Sequence, residues 1–377
     1  MGQDSSDAAS GQHPIFHVLP RGMNFSAKKA SSIDLFVAEV AAASRLDIEI
    51  VAEADDPPLP AARLHRLPSY PLAETFLRAR WVAALARERK PRLIVVQQHL
   101  PSAAAIAARV KIPVMLQRHN FMRPPKAGLF GGRHVRALNG LEGLTFVSEV
   151  ARDEFSRDWP EVETPRWVIP NGVDIRAWRP RAARDSFVLV VGRATPEKGL
   201  LEAAGALAVA LVESSWSATF VVAGAARGAA YLAAVRAALA PLGERGRVQT
   251  DVPFAAVKAL SESAAIAMVP SKWREPFGRA CLEAHAGGAA VISSGSGGLR
   301  EISGDAALYV PDADPAGLAE AIRTLVADEG LRTRLAARGR ARAEDLFDLA
   351  KVAARLDDAC EAVIRKAEGR RAGPELR

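Results

Sequence analysis

The sequence predicts an α/β protein with two doubly wound domains, and three observations lead to this expectation. A chain of 377 residues exceeds what one hydrophobic core usually serves, so two domains are expected. Short apolar strands alternate with helical stretches, which is typical of parallel sheets built from β-α-β units. The polar stretch NGVDIRAWRPRAARDS, residues 171 to 186, shows neither the hydrophobic period of a helix nor that of a strand. It interrupts the alternation of strands and helices, so we interpret it as an interdomain linker.

The first half of the chain, residues 13–176, is expected to form one domain. Its predicted strands are short and rich in Val, Ile and Leu: PIFHVLP, DIEIVAEA, RLIVVQQ, PVMLQRH, LTFVS and RWVIP. Its predicted helices have helical length and helix-forming residues: SSIDLFVAEVAAAS, ETFLRARWVAALARE and PSAAAIAARV.

The second half repeats the pattern and predicts another domain over residues 177–346. The strands expected here are FVLVVGR, ATFVVAG, RVQTD, AIAMVPS, AVISS and ALYV. Helices are expected from Pro196, near Arg279, and over AAYLAAVRAALAPLG, FAAVKALSESA and PAGLAEAIRTLVAD. Doubly wound sheets bind ligands at the C-terminal ends of their strands, so two facing domains predict a ligand site in a central cleft.

Composition limits the class of protein. Hydrophobic residues make up 49% and charged residues 25%, as in ordinary globular chains. The polar start MGQDSSDAASGQHP lacks the basic and apolar segments of a secretion signal, so a cytoplasmic location is expected. The net charge of +7 permits an anionic partner, but no interleaved aromatic residues or recognised module points to nucleic acid. Cys281 and Cys360 lack metal-ligand spacing and are expected to be reduced and buried.

The stretch VVGRATPEKG ends a predicted strand and opens a predicted helix. Gly192 lets the chain turn, Thr195 is expected to cap the helix, and Pro196 suits its first position. Arg193 and Lys198 then project beside a helix N-terminus, where cations favour phosphate. An exposed helix start with ordinary surface charges explains the same residues, and this stretch alone leaves both interpretations open.

The stretch REPFGRACLEAHAGG places Glu275 and Glu283 eight residues apart around a Pro-Phe-Gly turn. Pro276 and Gly278 make a continuous helix unfavourable, so the helix is expected to start near Arg279. Glu275 would then lie on a loop and Glu283 in the first turns of the helix. Two carboxylates beside a helix N-terminus suit a ligand with hydroxyl and phosphate groups. Seen alone, a surface capping pair is the competing interpretation.

Three motifs in order, IPNGVDIRAWRP, VGRATPEKG and EPFGRACLEAHAGGAAVISS, together resemble the retaining glycosyltransferases of family 4. The resemblance is strong from about residue 165 to 345 and weak before residue 100. It implies a GT-B fold, in which two Rossmann-like domains face a central cleft. The N-terminal domain, 13–176, would bind the acceptor and the C-terminal domain, 177–346, the nucleotide-sugar donor. A final helix over residues 347–368 would pack back on the first domain.

The resemblance also implies residue roles in binding the donor. Arg193 and Lys198 would bind its diphosphate, and Glu283 would accept hydrogen bonds from the ribose hydroxyls. Glu275 would bind hydroxyls of the transferred sugar. The backbone N–H groups of two further residues would hold sugar or phosphate, namely Phe277 and Gly278.

A histidine in the first half receives a role from the same resemblance. His119 follows the predicted strand PVMLQRH, and the family places a histidine after this strand that faces the sugar and the acceptor. With Glu275, Arg193 and Lys198, it completes the set of expected catalytic residues.

The first loop departs from the family. PRGMNFSAKKASS contains one glycine, Gly22, where members commonly carry a Gly-Gly pair. Lys28 and Lys29 of this loop either meet a phosphorylated acceptor or are plain surface charge, and we slightly favour the second. The stretch LRARWVAALARERKPR either contacts a membrane surface or forms an amphipathic helix packed on its own sheet, the commoner arrangement.

No metal and no separate cofactor are expected. Asp312 and Asp314 match an Asp-x-Asp metal motif, but Asp314 before Pro315 is better explained as a helix N-cap. The cationic pair Arg193–Lys198 takes the place of a metal on the diphosphate. The stretch GSGG, residues 295 to 298, is a weak phosphate-loop signal that we interpret as a plain turn.

These expectations converge on a retaining glycosyltransferase that uses a UDP- or GDP-sugar. The expected acceptor is a saccharide or a lipid-linked glycan of a surface polysaccharide or lipopolysaccharide. Peripheral contact with the cytoplasmic face of the inner membrane is left open. The alternatives are a nucleotide-sugar epimerase or hydrolase on the same fold, and a two-domain ligand-binding protein without chemistry.

Overall fold

The computed structural model describes residues 13–26, 31–61, 63–70, 74–123 and 131–372, which divide into two compact units. The first unit holds the described residues through Val147, then Arg152–Ile169, and the described residues from Val352 onward. The second unit holds Ser148–Ala151 and Pro170–Lys351. The boundary expected after residue 176 therefore falls inside the second unit.

The first unit contains a seven-stranded parallel sheet with helices between its strands. Its strands are β1 Ile15–Val18, β2 Ile48–Ala52, β3 Leu64–Arg66, β4 Leu93–Gln97, β5 Val114–Arg118, β6 Gly143–Phe146 and β7 Arg166–Val168, in the order β3-β2-β1-β4-β5-β6-β7. Its helices are α1 Ser32–Ala43, α2 Glu74–Arg89, α3 Leu100–Ala107, α4 Gly131–Asn139 and α5 Glu149–Asp158, whose first turn belongs to the second unit.

The second unit contains a six-stranded parallel sheet. Its strands are β8 Asp185–Arg193, β9 Ser217–Ala223, β10 Gly246–Thr250, β11 Ala264–Val269, β12 Ala290–Ser293 and β13 Ala307–Tyr309, in the order β10-β9-β8-β11-β12-β13. Its helices are α6 Leu200–Leu211, α7 Ala229–Leu239, α8 Phe254–Ser263, α9 Arg279–Ala286, α10 Leu299–Ser303, α11 Pro315–Ala327 and α12 Glu329–Leu346.

Burial on both faces of the second sheet explains the continuous apolar runs of its strands. In β8, Val188 and Val190 join one hydrophobic cluster, whereas Phe187 and Leu189 join a separate one. Successive side chains of a strand point to opposite faces, so both faces of β8 are covered. The first sheet shows the same burial, with all residues of β2 and β4 buried.

The last helix, α13 Leu349–Ala372, belongs to the first unit from Val352 onward. Its buried Asp357 accepts hydrogen bonds from Ser44 Oγ at 2.6 Å and from the Arg45 amide at 3.0 Å, at the end of α1. These bonds attach α13 to the end of α1. No helix among the described residues combines the length and the apolar composition needed to cross a membrane.

Two expected helix starts had different outcomes. Asp314 caps α11, as expected, and accepts a hydrogen bond from the Gly317 amide at 2.7 Å. The helix expected from Pro196 begins instead at Leu200. Pro196–Lys198 form one 3₁₀ turn, and the Thr195 side chain makes no capping hydrogen bond.

Candidate active site

The predicted donor-binding residues lie at the C-terminal ends of the central strands of the second sheet. Arg193 is the last residue of β8, Lys198 lies in the turn that follows, and Glu275 lies after β11. The strand order reverses between β8 and β11, because β9 extends the sheet on one side and β12 on the other. Doubly wound sheets bind ligands at such a switch point.

A glycine explains how the turn after β8 reaches β11. Gly199 has φ +66°, and a Cβ there would lie 2.0 Å from the carbonyl oxygen of Pro270. Only glycine fits both the left-handed conformation and this close approach. The Lys272 amide also donates to the Glu197 carbonyl at 2.8 Å. The turn is thereby held against the segment after β11, which brings Lys198 beside Glu275.

Glu275 is held by two donors in a nearly buried position. Its Oε1 forms an ion pair with Lys198 Nζ and accepts a hydrogen bond from Ser271 Oγ at 2.5 Å. The side chain of Glu275 is 8% exposed and that of Lys198 is 19% exposed. Lys198 Nζ also lies 5.8 Å from the ring centre of Trp273, within the range of a cation–π contact. The carboxylate is therefore fixed in place by its neighbours.

The glycine pair at 297 and 298 supports the loop that carries Glu275. The Gly298 amide donates to the Glu275 carbonyl at 2.8 Å. Gly297 has φ +63°, and a Cβ there would lie 2.1 Å from that same carbonyl oxygen. Our interpretation of GSGG as a plain turn is therefore incomplete, because its last two residues pack against the Glu275 backbone.

Glu283 lies in the second turn of α9, which begins at Arg279 as expected. Its side chain is 10% exposed, and its Oε1 accepts a hydrogen bond from Arg279 Nε at 2.8 Å. Arg279 was not among the predicted site residues, although its i, i+4 spacing to Glu283 is a recognised pairing signal on helices. Both predicted carboxylates thus have a cation beside them that helps to hold their orientation.

The turn between the two glutamates has a fixed backbone. Gly278 has φ +114°, and a Cβ there would lie 2.3 Å from Leu299 Cδ2. The buried ring of Phe277 packs edge-on against Phe347, with 5.7 Å between ring centres. Ser148 Oγ donates to the Pro276 carbonyl at 2.6 Å. These contacts set the direction of the backbone N–H groups at 277 and 278, where α9 begins.

Arg193 differs from Lys198 in its surroundings. Its side chain is exposed and makes no ion pair or hydrogen bond within the part of the chain that the structure describes. Its carbonyl accepts from the Thr195 amide at 2.7 Å, which closes the turn after β8. The structure places Arg193 at the end of β8 and Lys198 in the turn after it, but brings only Lys198 into contact with another predicted site residue.

His119 belongs to the first unit and follows β5 directly. Its Nε2 lies 2.8 Å from Gln97 Oε1, and its amide donates to Gln98 Oε1 at 2.9 Å. Burial, with smaller effects of Arg118 and His17, lowers the pKa of His119 to about 3. The imidazole is therefore neutral near pH 7.

Two glutamines that sequence reasoning missed hold this histidine. Gln97 ends β4, the neighbour of β5 in the sheet, and Gln98 follows it, so both lie at the same edge as His119. Gln97 Nε2 also lies 3.3 Å from Nδ1 of His17, which is fully buried and whose pKa burial lowers to about 4. The signal in the sequence was QQH, three polar residues at the end of an apolar strand.

The first loop and the helix α2 are the remaining segments for which the sequence led to specific expectations. Gly22 adopts φ +68°, whereas Lys28 and Lys29 lie outside the described residues. Arg78 of α2 is buried, pairs with Glu53, and donates to the Leu19 carbonyl at 2.9 Å. Residues 77–89 of the stretch LRARWVAALARERKPR thus lie in α2, whose buried residues form one face, in agreement with the interpretation of a helix packed on its own sheet.

Two solved structures share the fold of this chain over nearly its whole length. Sucrose-phosphate synthase from Thermosynechococcus elongatus superposes with a TM-score of 0.75 at 19% identity, over 94% of this chain and 100% of that one. Anabaena Alr3699/HepE in complex with UDP-glucose superposes with a TM-score of 0.73 at 19% identity, over 93% and 100%. The fold is therefore GT-B.

Sequence comparison identifies the family. Residues 174–342 match the family described as glycosyl transferases group 1, and residues 36–177 match glycosyltransferase family 4. The chain is 29% identical over 279 residues to alpha-maltose-1-phosphate synthase of Mycobacterium tuberculosis, covering 64% of this chain and 71% of that protein. It is 29% identical over 266 residues to glycogen synthase of the same species, covering 67% and 63%. The chain belongs to the family 4 glycosyltransferases and is a glycosyltransferase enzyme.

Proposed function

We propose that the protein is a retaining glycosyltransferase that moves a sugar from a UDP- or GDP-sugar to an acceptor. The observation that carries this proposal is the placement of two nearly buried carboxylates around the start of α9. Glu275 and Glu283 each have their own cation, Lys198 and Arg279 respectively. In a ligand with hydroxyl groups on either side of a phosphate, the hydroxyls would donate hydrogen bonds to these two carboxylates. The phosphate would accept hydrogen bonds from the backbone N–H groups at the start of α9.

The donor diphosphate is assigned to Arg193, Lys198 and the N–H groups at Phe277 and Gly278. In such a complex Lys198 would lie between the Glu275 carboxylate and the phosphate oxygens. A cation fixed in this way stabilises the charge that develops on the leaving diphosphate without reorganisation during the reaction. We therefore expect that no metal ion is required.

The ribose is assigned to Glu283 and the transferred sugar to Glu275. One carboxylate can accept hydrogen bonds from both hydroxyls of a vicinal diol. Arg279 orients Glu283 for this role, and Ser271 together with Lys198 orients Glu275. The structure of the Anabaena protein with UDP-glucose makes a nucleotide sugar a reasonable class of donor to test first.

His119 is assigned to the sugar and the acceptor, following the family resemblance. A neutral imidazole can donate one hydrogen bond and accept another, and Gln97 engages its Nε2. With a pKa of about 3, His119 supplies no imidazolium at neutral pH. It would therefore act through hydrogen bonds of the neutral ring rather than as a cationic acid. For retention we propose same-face attack assisted by the leaving phosphate.

Acceptor recognition is assigned to the first unit and donor recognition to the second. We propose a saccharide or a lipid-linked glycan of a surface polysaccharide or lipopolysaccharide as acceptor. This places the enzyme in the cytoplasm, with peripheral contact at the inner membrane if the acceptor is lipid-linked. Relatives named for the synthesis of maltose-1-phosphate and of glycogen support a carbohydrate acceptor.

The test is acceptor-dependent release of nucleotide. Purified protein is incubated with UDP-glucose or a GDP-sugar, with and without a panel of saccharide acceptors, and the nucleoside diphosphate is quantified. Glu275→Gln is expected to abolish the release, whereas Glu320→Gln, on an exposed residue of α11, should not change it. Release without acceptor would indicate a hydrolase, and epimerised donor without release would indicate an epimerase. NMR of the product would reveal an inverted anomeric centre if retention is wrong.

A further inference from the structure

A cavity of about 590 Å³ opens at the amino-terminal edge of the first sheet. Its walls come from the end of α2, the loops that lead into β4 and β5, and the end of α13. Gln97 and His119 lie at the carboxyl edge of the same sheet, so the cavity is on the opposite edge. A volume of this size lies in the usual range of sites for small organic ligands, about 300–1,000 Å³.

The floor of the cavity is apolar and consists of buried side chains. Ala86 of α2, Pro113 before β5, and Ile364 and Ala367 of α13 line it and are buried in the fold. A second cavity of about 270 Å³ continues from the first and shares Pro113 and Ala367. The floor of the first cavity therefore offers an apolar surface to a ring or a chain, whereas the second cavity is also lined by the charged residues Glu142 and Arg370.

The rim of the cavity is strongly basic. Five cationic side chains and one carboxylate line it, which gives 5 − 1 = 4 net positive charges: Arg87, Lys90, Arg92, Arg109, Lys111 and Glu368. The carboxylate of Glu368 lies 3.9 Å from Arg92, at the limit of an ion pair. A concave site lined by one sign of charge concentrates counter-ions, so it favours an anion.

The position of Lys90 adds an independent observation. Lys90 ends α2 with φ +51°, the left-handed conformation that normally selects glycine or asparagine. Its amide still donates to the Ala86 carbonyl at 3.0 Å, so the turn itself is an ordinary helix end. A lysine is unfavourable in this conformation, and the one present puts an ammonium group on the cavity rim.

From these features we propose that the cavity binds an anionic amphiphile. A phosphate or similar anion would be held by Arg87, Lys90 and Arg92, and its apolar ring or chain would lie on the floor between α2 and α13. The site lies wholly within the first unit and is separate from the donor residues of the second. Its ligand would be either a soluble phosphate ester with an apolar group or the headgroup region of an acidic lipid.

Octyl phosphate is the probe for this site, because it joins one phosphate to one short apolar chain. Isothermal titration of the full chain is expected to show saturable binding that weakens as salt is raised. The double variant Arg87→Ser/Lys90→Asn should lose about tenfold or more in affinity, since each charge-assisted hydrogen bond is worth about that factor. Asparagine is chosen at position 90 because it tolerates positive φ.

The control removes two charges elsewhere in the first unit. Arg157→Ser/Arg355→Ser alters two exposed arginines that do not line the cavity, and its affinity for octyl phosphate should stay within about twofold of the wild type. Equal binding by the Arg87/Lys90 variant and the wild type would overturn the proposal. The proposal would also be overturned if the wild type bound octyltrimethylammonium, which has the same chain and the opposite charge, as tightly as it binds octyl phosphate. The circular dichroism spectrum and the urea unfolding midpoint of each variant should match those of the wild type, which reports that the variant is folded.

Vesicle sedimentation separates the two sources of the ligand. If the protein sediments with phosphatidylglycerol vesicles, and the Arg87/Lys90 variant does not, the anion comes from a lipid headgroup. If octyl phosphate binds but the protein sediments with neither phosphatidylglycerol nor phosphatidylcholine, the ligand is a soluble phosphate ester. Either result supports an anion site, whereas failure of octyl phosphate to bind refutes it.

Discussion

Replacing Gly297 by alanine should damage the donor site through the backbone, without changing any side chain that would touch the donor. Gly297 adopts φ +63°, and an added Cβ would lie 2.1 Å from the Glu275 carbonyl oxygen and 2.9 Å from its amide nitrogen. Those atoms belong to the backbone, so they cannot rotate away as a side chain would. The loop that carries Glu275 must therefore move.

The size of the effect follows from two costs. The left-handed conformation costs a residue with a Cβ about 1–2 kcal/mol. Relief of the clash by a shift of backbone costs about 1–3 kcal/mol more. We expect the free energy of unfolding to fall by about 2–5 kcal/mol. A displaced Glu275 would lose a hydrogen bond to the sugar, which corresponds to about 10- to 100-fold in donor affinity.

Urea unfolding followed by circular dichroism measures the first effect, and calorimetric titration with the nucleotide sugar measures the second. Gly205→Ala is the matched control, because Gly205 lies inside α6 and an added Cβ there would have no described atom within 4 Å apart from its chain neighbours and the nearby helix backbone. That control should be neutral or stabilising by up to about 1 kcal/mol. A Gly297→Ala variant with the stability and donor affinity of the wild type would refute the role given to this glycine.

Three further predictions concern the charged and titratable groups. Lys198→Met should lower nucleoside diphosphate affinity about 10- to 100-fold by calorimetry, whereas Lys272→Met, which removes a neighbouring lysine, should change it less than about threefold. The pKa of His17 is about 4 in the folded protein, below its value of 6.5 in the unfolded chain. Because the unfolded chain binds the proton first as the pH drops, the free energy of unfolding should fall between pH 6.5 and pH 4. His17→Asn should reduce that slope by up to about 1.4 kcal/mol per pH unit in urea unfolding, and an unchanged slope would contradict the assignment. Asp357→Asn should cost about 1–3 kcal/mol of stability, whereas Asp358→Asn, 72% exposed, should cost little; equal losses would mean that the buried carboxylate does not attach α13.

The two sheets were predictable because buried parallel strands have continuous apolar sequences. FVLVVGR and AIAMVPS predicted β8 and β11 to within two residues at each end. The strand β3 escaped notice because it has three residues, Leu-His-Arg, with no apolar run. The helix α12 was not among the predicted helices, since its buried positions form only a narrow stripe of Leu335, Gly339 and Ala343.

The helix expected from Pro196 shows where local rules fail. Thr195 followed by Pro196 is a good local signal for a helix start. The chain instead makes a tight turn and starts α6 after Gly199, because Gly199 must approach the carbonyl of Pro270. That contact joins residues 71 positions apart (270 − 199), so it cannot be predicted from the residues near the helix start.

The positions of the candidate residues relative to the strands and helices were predictable, but the contacts between these residues were not. Pro276 and Gly278 fixed the start of α9, and so placed Glu275 before it and Glu283 within it. The ion pair between Lys198 and Glu275 joins positions 77 apart and depends on the neighbouring places of β8 and β11 in the sheet. The support of His119 by Gln97 likewise depends on the neighbouring places of β4 and β5.

The most direct test of the central claim is calorimetric titration with UDP, GDP and ADP, on the wild type and on Glu283→Gln. The nucleotide that binds is then compared with its 2′,3′-dideoxy form, which lacks both ribose hydroxyls. We predict that one nucleoside diphosphate binds well and that the dideoxy form binds about 10- to 100-fold more weakly to the wild type. The variant should bind both forms with equal, weak affinity. If the variant still discriminates between the two forms, or if no nucleotide binds the wild type, Glu283 does not bind a ribose and the donor site is wrong.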